Sequence, residues 1–134
     1  MNTQATLQQM QKLNLIGMAS AYESIIKLPA DAHPDTHECI ATVIEAEWQH
    51  RNFAKSQMLL KLSKLRYKAS LVDIIYNAER NIKKESIALL SDCSFIHRAQ
   101  NIIITGATGS GKSFLACAIG NQACLYAHRT LYFN

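Results

Sequence analysis

The sequence predicts an α-helical N-terminal domain, residues 1–68, followed by the start of an α/β P-loop domain, residues 69–134. Three observations predict it. Apolar residues recur at helical spacing between Leu7 and Leu65. Residues 106–113 read Gly-Ala-Thr-Gly-Ser-Gly-Lys-Ser. A β-branched run, Ile102-Ile103-Ile104, leads directly into that octet, as a buried parallel strand would.

Taken in order, the first 30 residues predict two short helices. Leu7, Met10 and Leu13, then Met18, Tyr22, Ile25 and Ile26, fall near helical spacing, with a break at Asn14 to Gly17. Leu28 to Pro34 is a linker, because its two prolines cannot continue a helix. Asp35 with Glu38 three residues later makes a capping-box-like start. A long helix is expected from there to about Arg66, with Ile40, Ile44, Trp48, Met58, Leu62 and Leu65 as one apolar stripe. Arg51, Lys55 and Arg66 flank the stripe on one side, and Lys61, Lys64 and Lys68 gather on the other. Residues 69–100 connect the halves, with helix expected over 82–90 and again near 95–98. Strands are expected at 101–105 and 129–133, either side of a helix over 111–127.

The octet fits the pattern GxxxxGK[ST], and its residue types state its chemistry. Gly106, Gly109 and Gly111 let the backbone adopt unusual φ values and approach a ligand closely. Successive N–H groups, including those of Ala107, Thr108 and Ser110, then form an anion nest. The following helix adds unsatisfied donors and roughly half a positive charge at its N-terminus. Lys112 is placed to reach β- and γ-phosphates, and the Ser113 hydroxyl to ligate Mg²⁺. The expected ligand is a nucleoside triphosphate, ATP, with Mg²⁺. The bland alternative is a Gly-rich turn with a solvated lysine.

Other features bound the class. Hydrophobic residues make up 49% of 134, enough for a packed core, yet no run of 18 apolar residues would span a membrane. The opening Met-Asn-Thr-Gln-Ala-Thr has no signal-peptide character, so a cytoplasmic location is expected. Cys39, Cys93, Cys117 and Cys124 contain no CxxC pair and read as reduced, buried side chains, with Cys117 and Cys124 on one helix face. His33 and His37 stand near Asp35 and Glu38 without a third His or Cys ligand, so helix capping explains the carboxylates better than a metal. Tyr67 and Tyr76 read as packing residues rather than base-stacking ones. No nucleophile–His–acid set is evident, and no catalytic residue is assigned.

The net charge of +4 is unevenly spread. Between Glu23 and Glu47 six acidic residues face Lys27 alone. Between Arg51 and Lys84 nine basic residues face two acidic ones, a local excess of seven over 34 residues. Such an excess is the footprint of a phosphate-backbone contact, with a solvated helix face as the alternative.

Leu13-Asn14-Leu15-Ile16-Gly17-Met18-Ala19, the Glu47-Trp48 pair followed by Arg51-Asn52, and Arg98 to Gly106 together resemble the IstB-like ATP-binding proteins. These are helper ATPases of insertion-sequence transposition, related to the DnaC helicase loaders. The resemblance runs almost end to end, and the N-terminal segments carry it, since the loop is common to many ATPases. It implies a small helical domain joined to an AAA+ ATPase domain that binds ATP, assembles into oligomers on DNA and assists a transposase or, among the loaders, a helicase. No membrane role is implied.

One departure accompanies the match. Residues 114–134 contain no Asp or Glu, so a Walker B carboxylate is not among them, and the resemblance implies that the later sensor and the arginine finger lie further along than residue 134. The finger alone is typically worth ~10³–10⁵ in rate, so the expectation is a truncated AAA+ start that holds ATP without efficient hydrolysis. In AAA+ folds a further strand lies between the two expected here, and without it each has an unpaired edge. The alternatives are a non-enzymatic DNA- or partner-binding helical module with a vestigial P-loop, and a helicase-loader fragment.

Overall fold

The computed structural model describes residues 2–76 and 81–134. Packing divides the chain into two compact units, Met1–Ala54 and Lys55–Asn134.

In the first unit, α1 (Thr3–Lys12) begins at Asn2, whose side chain accepts from Ala5 N–H at 2.7 Å. It ends where Asn14 takes a φ of 58° and Leu15 N–H donates back to Met10 O, the left-handed stop that asparagine tolerates. α2 (Ile16–Ile26) follows immediately, as the break at Asn14 to Gly17 predicts. The proline-bounded linker holds one 3₁₀ turn, Ala30–Ala32. The long helix, α3 (Thr36–Ser63), starts as its sequence foretells, with Glu38 N–H donating to Asp35 Oδ1 at 2.9 Å.

α2 docks on α3 backbone to backbone. A Cβ on Gly17 would lie 2.5 Å from Ala46 O and 2.8 Å from Glu47 Cα, so any side chain there would force the two helices apart. α2 has no side-chain cap of its own. The buried Glu47 supplies one, accepting from Met18 N–H at 3.1 Å through Oε1 and from Arg51 Nε at 2.7 Å through Oε2. The Arg51 hydrogen bond, then the Met18 N–H, hold the Glu47 carboxyl below its usual range.

The apolar stripe expected to bury α3 does not do so. Ile40, Ile44, Trp48, Met58 and Leu62 are all more than half exposed, and Leu65 alone packs against a core. α3 buries instead Val43 and Glu47 in the first unit, and Leu59 with the small residues Ser56 and Ser63 in the second. Close approach at small or capping residues has outweighed the periodic apolar signal.

The second unit is built on α6 (Lys112–Leu125). Cys117, Ala118 and Ile119 join Ala69, Leu71, Ile74 and Ile87 in one core. α4 (Lys84–Leu90) and α5 (Ser94–His97) fall where helix was expected, and Gln122 Nε2 ties α6 to Ser91 O at 2.6 Å. Cys93, Cys117 and Cys124 have no exposed surface, whereas Cys39 is only half-buried. Burial pushes the Cys93 thiol up.

The two expected strands are not formed among the described residues, so the described fold is helical and the α/β character read from the sequence is not seen. Both segments keep the alternating burial of extended chain. Ile102, Ile104 and Tyr132 pack against the core, while Ile103 and Phe133 are 86% and 83% exposed. A strand exists only through a ladder with a neighbour. Here Tyr132 N–H donates instead to Ser63 O, at the end of α3, at 2.9 Å.

Candidate nucleotide-binding loop

Residues 101–107 lead into a turn at 108–111 and then into α6. Ser110 N–H donates to Ala107 O at 3.2 Å, closing the turn. Gly109 has a φ of 79° with open space around its missing Cβ. Gly111, at φ 97°, is the residue from which α6 starts, and Leu115 N–H donates to its carbonyl at 3.0 Å. Both values lie in the region that glycine enters at least cost. At Gly106 a Cβ would sit 3.0 Å from Ser110 Oγ, a tight approach that a small turn of the hydroxyl relieves, and in ordinary contact with the Lys112 side chain.

Lys112 folds across the loop and donates from Nζ to Gly106 O at 2.5 Å. The ammonium is thus held against the octet's own backbone by a carbonyl, a neutral partner that a more strongly accepting phosphate oxygen can replace. Ser113 is exposed in the first turn of α6, and Ala107, Thr108 and Ser110 are exposed along the loop. The fold therefore brings together all eight residues of the motif as one turn at a helix N-terminus. No acidic residue follows Asp92 in the sequence, so the stretch around the loop carries only positive side chains.

Sequence reading did not foresee what supports the loop from behind. The Tyr67 ring lies 6.4 Å from that of Phe114, the residue directly after Ser113, and Leu65 packs where a Cβ on Gly120 would come within 2.9 Å. The exit of α3 is thereby fastened to α6. Phe114 and Gly120 were its only signals, and neither names a partner by spacing.

The model of the IstB-like ATP binding protein family matches residues 8–134. The chain belongs to the IstB-like ATP-binding protein family. An insertion sequence IS1162 putative ATP-binding protein of Pseudomonas fluorescens is 36% identical, over 100% of this chain and 58% of that protein. Two putative insertion sequence ATP-binding proteins of Sinorhizobium fredii, y4pL and y4uH, are 32% and 35% identical over 95% of this chain and 52% and 51% of their own lengths. The chain spans about half the length of the curated relatives it matches. Among the described residues, no helix is long and apolar enough to cross a membrane.

Proposed function

We propose that residues 106–113 bind ATP with Mg²⁺, Lys112 reaching the β- and γ-phosphates and Ser113 ligating the metal. The glycine-bounded loop, with Lys112 laid across it at the start of α6, is the observation that carries the reading. Family membership agrees with it, as do the relatives' names, which describe ATP-binding proteins of insertion sequences. On that reading the chain serves DNA transposition in the cytoplasm, in contact with DNA, a transposase and further copies of itself. Residues 1–68 act as the helical partner- and DNA-contacting part, and residues 69–134 as the AAA+ part.

With no acidic residue after Asp92, these 134 residues offer no carboxylate beyond the loop to hold Mg²⁺ or to activate water. We therefore expect the chain by itself to hold nucleotide without efficient turnover. Titration with a fluorescent ATP analogue, with and without Mg²⁺, tests the assignment. Mg²⁺ should tighten binding to the natural chain and lose that effect in Ser113→Ala. Equal Mg²⁺ dependence in both would remove Ser113 from the metal. A second reading, a helical module that docks a partner and uses no nucleotide, is favoured by the exposed Ile40, Ile44 and Trp48 on α3. Partner binding unaffected by ATP would support it over the first.

A further inference from the structure

Away from the loop, the second unit contains an open cleft of about 610 Å³ between the last turns of α3, the segment after it, and α6. Lys61, Lys64 and Lys68 line it together with Tyr67 and the amides of Gln57 and Asn121, and no acidic residue does. Among the described residues, none of the three lysines is ion-paired. The Arg66 guanidinium, 5.2 Å from the centre of the Tyr67 ring, adds a fourth cation beside them.

This concentration exceeds what the helix requires. The C-terminal end of a helix carries about half a negative charge, which one cation answers. Lys61 lies in the last turn of α3, and Lys64 and Lys68 follow in the irregular segment after it, so three like charges line one cleft without a helical pairing pattern to spread them. Lys64 also holds a φ of 56°, a left-handed value at a helix end where glycine or asparagine is the usual occupant. Repulsion and backbone strain thus meet in a cleft with no acid to relieve them, and an anion would relieve the first directly.

We propose that this cleft binds the backbone of a nucleic acid, Lys61, Lys64 and Lys68 holding successive phosphodiester groups while Gln57 and Asn121 donate to phosphate or sugar oxygens. It rests on the nucleic-acid contact proposed above and gives that contact a site. Three separate ammonium groups suit a row of phosphates, because lysine acts as a point charge and reads no base. A carboxylate-rich peptide would favour the paired donors of arginine, which these three positions lack.

Anisotropy of labelled oligonucleotide with the full chain, across a salt series, tests the site. Lys61→Gln/Lys64→Gln/Lys68→Gln should weaken binding roughly tenfold or more and flatten the salt dependence by about 2 for a single strand or about 3 for a duplex. The arm in which the slope falls identifies the form of nucleic acid held. The matching Lys→Arg triple should bind as the natural chain does, which separates charge from folding. Lys83→Gln/Lys84→Gln, in the same basic stretch but outside the cleft, should leave most of the slope. A glutamine triple with the natural slope, beside a Lys83/Lys84 variant that has lost it, would overturn the cleft and leave DNA binding standing. No oligonucleotide binding by the natural chain would overturn both. Competition by polyglutamate as strong as by unlabelled oligonucleotide would overturn the phosphate assignment in favour of an acidic peptide.

Discussion

Gly17→Ala tests how the first unit holds together. The added methyl would stand 2.5 Å from Ala46 O, 2.8 Å from Glu47 Cα and 2.9 Å from Ala46 C, against ordinary contact from 3.4 Å outward. All three neighbours are backbone, so no rotamer change clears them, and α2 must retreat from α3 by nearly an ångström. Overpacking of this kind costs about 1–3 kcal/mol. Alanine returns up to ~1 kcal/mol through its better helix propensity. Because the clash is with backbone, the cost belongs at the upper end of its range, leaving a net loss of about 1–2 kcal/mol. The retreat also draws Met18 N–H from the Glu47 carboxylate that caps α2. Thermal unfolding followed by far-ultraviolet circular dichroism should show a Tm lower by roughly 4–12 °C. An unchanged or raised Tm would refute the close crossing of α2 on α3.

Gly120→Ala is the contrasting case: its Cβ meets the tip of Leu65 at 2.9 Å, a side chain able to turn aside, so the ~1 kcal/mol propensity gain should leave stability unchanged or slightly raised in the same melt. Glu47 has a folded carboxyl held below its ordinary value by Arg51 and Met18 N–H, so its contribution is complete above about pH 4.3 and is lost as pH falls through the lower folded value. Glu47→Gln should therefore lower stability at neutral pH and flatten the acid side of a stability–pH profile. Identical acid limbs for the two proteins would remove Glu47 from that role.

Much of the helical layout was legible because its signals are local. Asn14 and the prolines at 29 and 34 act on their own backbone, and Asp35 caps three residues away. The octet was legible for the same reason, Gly109 and Gly111 being favoured by their own positive φ values within the loop. What α3 buries was not legible. Ile40, Ile44 and Trp48 make a better helical stripe than Val43 and Glu47, yet the latter are the buried ones, and Glu47 meets α2, since Gly17 admits backbone contact and α2 has an orphan N–H to satisfy. The segments around Ile103 and Leu131 read as strands because alternation and β-branching are local, whereas a ladder needs a neighbour that lies elsewhere in sequence. Tyr67 against Phe114 is likewise a contact between positions with no common period.

Calorimetric titration of the chain with ATP and Mg²⁺, beside Lys112→Ala, tests the central claim most directly. A positioned lysine on phosphate is a charge-assisted interaction of about 1.5–3 kcal/mol, so affinity should fall at least about tenfold in the variant. Equal affinity in the two proteins, or no binding by a natural chain shown to be folded, would contradict the assignment of residues 106–113 as a nucleotide site.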